Sequence, residues 1–113
     1  MACKNIYKIC VLEDKYVDDF MQSIELILKA SKVSLQVFCS DCGINYVTWR
    51  RVREHKTRLK ITLVNAIIFI LAEIAYDNRS KYKGTKLVDQ AFDKINEILQ
   101  TIDYRSFSRT KGL

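Results

Sequence analysis

The sequence predicts an all-α fold, a single compact domain of about five helices. Three observations carry that expectation. Proline is absent and only three glycines occur, which leaves few places for tight turns. Apolar residues recur at steps of three and four over most of the chain, the period of a helix face rather than the alternation of a strand. Hydrophobic content of 49% beside 28% charged residues is ordinary for a globular chain, and 113 residues can bury one modest core.

The first twelve residues have no clean period and read equally well as a short strand, a helical turn or a loose arm. Their apolar run is short and broken by Lys4 and Lys8, so no secretory signal is expected. From Glu13 onward, Tyr16, Val17, Phe20, Met21, Ile24, Ile27 and Leu28 recur at three and four and predict an amphipathic helix over 14–31. Acids open it and Lys29 and Lys32 close it, as the helix dipole favours. Asp18 and Asp19 fall on its solvated face.

The next stretch reads as two short helices, 34–42 and 45–54, around one tight corner. Ser34 and Asn45 can cap them, because a side-chain oxygen accepts a free first-turn N–H, and Gly43 supplies the left-handed residue that ends the first. Phe38, Cys39 and Cys42 share one face of the first helix, and Trp49 and Val52 share one face of the second. One core is expected to contain Phe38, Cys39, Trp49, Val52, Ile67 and Leu71. Asn45, Tyr46, Val47, Arg50, Arg51 and Glu54 then face outward. A short capped helix offering polar and cationic groups, held at an angle by another helix, suits insertion into a DNA major groove.

The corner Gly43-Ile44-Asn45, the small Cys39 four residues before the glycine, and Trp49 and Val52 six and nine after it resemble the helix-turn-helix of lambda-repressor/Cro-like (XRE-type) regulators. The resemblance covers roughly residues 34–71. Leu35 stands where these proteins commonly carry a glutamine that contacts the DNA backbone, with Gln36 beside it. Arg53-Glu54-His55 stands where they commonly carry Glu-Asn-Gly, and Trp49 is larger than their usual isoleucine or valine. The resemblance implies a sequence-specific DNA-binding protein, a transcriptional regulator of the repressor type, with helix 45–54 in the major groove of double-stranded DNA. Asn45, Tyr46, Val47, Arg50 and Arg51 would meet base edges, and Gln36, Arg53, Lys56 and Arg58 would meet phosphates. It would work in the cytoplasm as a homodimer, because one short recognition helix reads only a few base pairs.

Charge is distributed accordingly. The formal net charge is +6 and the pI about 9.2, and between Trp49 and Lys60 six cations face a single acid, Glu54. A second run, Arg79, Lys81, Lys83 and Lys86, reads on composition alone as a solvated surface. His55 is expected in the exposed turn after the recognition helix.

The most apolar part of the chain predicts a helix over 60–77. Thr62, Asn65 and Glu73 interrupt it, and the unbroken piece from Ala66 to Ala72 is far shorter than the roughly twenty residues of a membrane span. Apolar residues on nearly every face suggest enclosure by neighbouring helices or a second subunit. Residues 78–84 read as a linker and Thr85 as the cap of a last helix, 85–102. Val88, Phe92, Ile95, Leu99 and Ile102 form a seam on that helix, to be covered by its own domain or by the same helix of another copy. The expected homodimer pairs through this helix, alone or together with part of the 60–77 helix. The basic residues 103–113 have no period and are expected to form a mobile tail.

Cys39 and Cys42 have a ligand-like spacing, yet Cys3 and Cys10 are seven apart and His55 is the one histidine, so no metal site is expected. No phosphate loop and no nucleophile–base set is recognisable, which argues against an enzyme and against a cofactor. A second reading stands beside DNA binding: a non-catalytic helical module for protein interaction or assembly, whose basic face is only solvated.

Overall fold

Residues 11–111 are described in the computed structural model, with side chains as far as Thr101. They form helix α1 (Asp14–Ser31), α2 (Leu35–Cys42), α3 (Tyr46–Arg53), α4 (Ile61–Asp77), a 3-10 turn (Arg79–Tyr82) and α5 (Lys86–Lys111). The all-α expectation holds among the described residues, where the one strand-like feature is an isolated antiparallel bridge between Val11 and Lys60. The arm read at the N-terminus lies outside the described residues up to position 10. Its last residue, Leu12, is buried and donates its N–H to the Leu59 carbonyl at 2.8 Å.

The caps predicted at Ser34 and Asn45 form. Ser34 Oγ accepts from the Val37 N–H at 3.1 Å, and Asn45 Oδ1 accepts from the Val47 N–H at 2.8 Å. Three successive helices then end in one way. Gly43 closes α2 at φ 76°, with its own N–H on the Ser40 carbonyl and the Ile44 N–H on that of Cys39. Lys32 closes α1 and His55 closes α3 in the same left-handed conformation, each at φ 60°, with the paired backbone bonds of a Schellman motif. The chain thus turns sharply at each corner without leaving helix-end carbonyls unpaired.

Helix α1 is the hub. Phe20, Met21, Ile24 and Ile27 are wholly buried, α5 packs along α1, and α3, α4 and the 3-10 turn all touch it. The six residues expected in one core, Phe38, Cys39, Trp49, Val52, Ile67 and Leu71, are all buried in one cluster. Phe38 and Trp49 meet edge to face with ring centroids 6.1 Å apart.

Two expectations need correction. The last helix does not stop near 102 but continues to Lys111, so most of the stretch read as a tail is helical. Neither proline nor glycine occurs between Lys86 and Lys111, and nothing in the sequence terminates the helix earlier. Its apolar seam is covered within the domain: Val88, Ala91, Ile95 and Ile98 are buried, with Phe92 and Leu99 packed against the same cluster. The surface expected to pair two copies is therefore occupied by α1. Helix α4 is covered by neighbouring helices on one side only. Val64, Ile67 and Leu71 are buried on one side, while Phe69 and Tyr76 are each 66% exposed on the other. No described helix is long and apolar enough to cross a membrane.

Trp49 is 1% exposed and lies where α1, α2 and α3 converge. Replacing it with Ala is expected to cost about 3–5 kcal/mol of unfolding free energy in urea titrations. A loss below about 1 kcal/mol would contradict its burial.

Candidate nucleic-acid interface

Helix α3 has two chemically distinct sides. Trp49 and Val52 are buried, whereas Val47, Arg50, Arg51 and Glu54 are exposed, and at 100° per residue these four fall on one face. Val47 is 59% exposed and packs against nothing in the core. Neither Arg50 nor Arg51 makes an ion pair with any described residue. This face therefore presents two uncommitted guanidinium groups around an apolar methyl pair.

The inner side is fastened to α1 by one carboxylate. Glu25 accepts the Trp49 indole N–H at 3.0 Å and the Arg53 Nε and Nη2 at 3.1 and 3.2 Å. The Arg53 fork is bidentate, a geometry that fixes orientation as well as distance. Asp18, two turns before Glu25 on the same face of α1, lies 3.8 Å from Arg53 Nη1 and accepts from His55 Nε2 at 3.0 Å. Both carboxylates belong to α1, so the angle of α3 is set by the central helix.

Of the expected site residues, Asn45, Val47, Arg50, Arg51, Gln36, Lys56 and Arg58 are exposed. Asn45 spends its side-chain oxygen on the cap and keeps its amide N–H groups outward. Lys56 pairs with Glu54 at 3.3 Å on an exposed surface, where a pair of this kind is worth about 0–1 kcal/mol and exchanges readily. Arg58 has no ion pair among the described residues.

Two assignments change. Tyr46 is half-buried and packs against the core rather than facing outward, because it shares an i, i+3, i+7 stripe with Trp49 and Arg53. Arg53 is not a free cation for phosphate, since its guanidinium is held by Glu25 and Asp18. Two further residues matter that the sequence reading passed over. Glu25 borders the apolar stripe of α1 without any local mark of its role, and Asp18, read as a solvated acid, holds the turn residue His55.

The Cys39-Ser40-Asp41-Cys42 pair contributes packing. Burial, aided by Glu25, pushes the Cys39 thiol up to about 11; burial, aided by Cys39 and Asp41, pushes Cys42 up to about 12. Both are protonated at neutral pH, and the thiolate is the form that binds metal or reacts. Among the described residues no three His, Cys, Asp or Glu side chains converge as a metal site would require.

Glu25→Ala is expected to destabilise the fold by about 1–3 kcal/mol, the range for hydrogen bonds to a charged group, reduced because the side chain is 31% exposed. A double-mutant cycle of Glu25→Ala with Arg53→Ala should give a coupling of about 1 kcal/mol. Strict additivity in urea titrations would mean that the clamp does not stabilise the domain. Comparison with known proteins adds no name to this arrangement: no protein-family model, no curated protein and no solved structure matches the chain.

Proposed function

We propose that this chain is a sequence-specific DNA-binding protein, a regulator of the repressor type acting in the cytoplasm, with α3 lying in the major groove. The observation that carries the reading is the division of α3. Its inner side is buried and clamped, and its outer side offers Val47, which packs against no part of the core, and Arg50 and Arg51, which make no ion pair with any described residue. Two exposed arginines that no acid of the described fold neutralises leave positive charge available to a polyanion. The resemblance to XRE-type regulators gains support from the second corner, because His55 adopts φ 60° where those proteins commonly have glycine.

In this reading Arg50 and Arg51 reach base edges, with guanine O6 and N7 matching the guanidinium fork, Val47 meets a thymine methyl, and the Asn45 amide donates. Gln36, Lys56 and Arg58 meet phosphates, Lys56 after release from Glu54. Arg50→Ala should weaken binding to duplexes selected from random DNA by about 1–3 kcal/mol, with little loss on unselected DNA. Arg58→Ala should weaken both alike and lower the salt slope by about one. If neither substitution changes binding measured at two salt concentrations, α3 does not read DNA.

Half-sites about 34 Å apart require two copies. Since α1 covers the seam of α5, the outer side of α4 is the better dimer surface, with Phe69, Ala72 and Tyr76 exposed along it. Ala72 is small enough for two such helices to approach closely around it. Sedimentation at tens of micromolar should show a dimer that Phe69→Glu dissociates, and a monomeric wild type at that concentration would overturn this part of the reading. The same exposed aromatic residues favour the second reading, a protein-interaction module. It would prevail if the purified chain bound no duplex DNA at low salt.

A further inference from the structure

The run Arg79, Lys81, Lys83 and Lys86, which composition alone leaves as solvated surface, is tied to a specific place. Tyr82 ends the 3-10 turn with its side chain buried, its ring tilted against Phe92 at 5.9 Å between centroids. Its hydroxyl bonds Ser31 Oγ, 51 residues away in sequence. Ser31 Oγ gives its one proton to the Ile27 carbonyl at 2.7 Å, so in this pair Tyr82 donates and Ser31 accepts. Ser31 is the last residue of α1, and Ser34, three residues on, caps α2. The buried pair therefore fastens the 3-10 turn to the corner where α1 hands the chain to α2.

That attachment gathers cations from two distant segments. Lys32 follows Ser31, Lys81 and Lys83 flank Tyr82, and all three are exposed. None of them makes an ion pair with a described residue. No acid occurs from Leu26 to Ser40 or from Asn78 to Val88, so neither segment carries its own counter-charge. Arg79 is different, since it donates to the Tyr76 carbonyl at 2.6 Å and stacks 4.1 Å above the Tyr76 ring. Lys29 and Lys86 are also exposed and without an ion pair to a described residue, but Lys32, Lys81 and Lys83 are the ones that adjoin the Ser31–Tyr82 bond.

In helix-turn-helix docking the helix before the recognition helix crosses the sugar–phosphate backbone. Lys32 lies two residues before the cap of α2, and the Ser31–Tyr82 bond brings the turn that carries Lys81 and Lys83 to the same corner. We propose that these three lysines form a second phosphate-binding patch that lengthens the DNA footprint beyond the bases read by α3. The inference rests on the DNA-binding reading above. The patch contacts backbone only, so it adds affinity without sequence preference.

The test is the Lys81→Gln/Lys83→Gln double variant of the full chain, titrated with a selected duplex and a random duplex over a range of salt. All substituted side chains are exposed, so its urea midpoint should match the wild type. Each phosphate contact contributes about 0.9 to the slope of log K against log salt, and the slope should fall by about two on both duplexes. The ratio of specific to random affinity should stay unchanged. Trimming the duplex flanks should weaken the wild type and leave the variant little affected. A slope equal to that of the wild type, with Arg58→Ala lowering it in parallel, would overturn the patch while leaving DNA binding by α3 intact. If the wild type binds neither duplex at low salt, the DNA-binding reading falls and the patch falls with it.

Discussion

Helix α3 has eight residues, and isolated helices shorter than about 12–15 residues are marginal in water, so its existence depends on what it is fastened to. The fastening is the Glu25 carboxylate. Trp49 brings a large apolar surface into the core but also an indole N–H, which would be costly to bury without an acceptor. Glu25 satisfies it, and a carboxylate only 31% exposed in turn needs a counter-charge, which Arg53 supplies. Each member makes the others tolerable. Loss of Arg53 would strand a half-buried charge, and loss of Glu25 would strand two sets of donors. The orientation of Val47, Arg50 and Arg51 is thus determined on α1, by residues that need never touch a ligand.

Much of this was legible in the sequence because it is local. Ser34, Gly43 and Asn45 announce the corner by chemistry that acts within three or four residues, and the capped helices they predict form with the predicted residues as caps. The core list held for a related reason, since spacing alone puts Phe38, Cys39, Trp49 and Val52 on inner faces. Tyr46 was legible and misread: its place three before Trp49 and seven before Arg53 already assigns it to the inner flank. Arg53 was not legible. An arginine at the end of a basic run looks like its neighbours until Glu25, 28 residues earlier, is seen to take its fork. The same holds for Ser31 and Tyr82, whose bond no periodicity could pair.

The two apolar helices at the C-terminal end exchange the roles their sequences suggest. Helix α4 is apolar on nearly every side and looks enclosed, yet three of its residues are buried and Phe69 and Tyr76 stand out. Helix α5 carries the cleaner seam and looks like an interface, yet that seam lies along α1 inside the domain. Width of the stripe explains the exchange. A narrow seam on α5 is matched to one neighbour, whereas α4 has more apolar surface than α1 and α2 can cover, and the excess faces out.

Lys32 and His55 hold left-handed backbone at two of the three corners, a conformation that costs a side-chain-bearing residue about 1–2 kcal/mol and a glycine little. Gly43 takes the same conformation at the third corner without that cost. At His55 the strain is offset by the bond to Asp18, which ties the end of α3 to α1. At Lys32 the paired backbone bonds to the Leu28 and Lys29 carbonyls offset it, and its exposed ammonium makes no ion pair with a described residue. The left-handed backbone at Lys32 is thus explained by the fold itself, because it turns the chain into α2 while the last carbonyls of α1 keep partners. What the fold leaves unexplained is charge rather than conformation. Under the proposed DNA-binding reading, the ammonium of Lys32, the arginines on the outer face of α3 and the lysines beside Tyr82 would share one extended polyanion lying across α2 and into the face of α3.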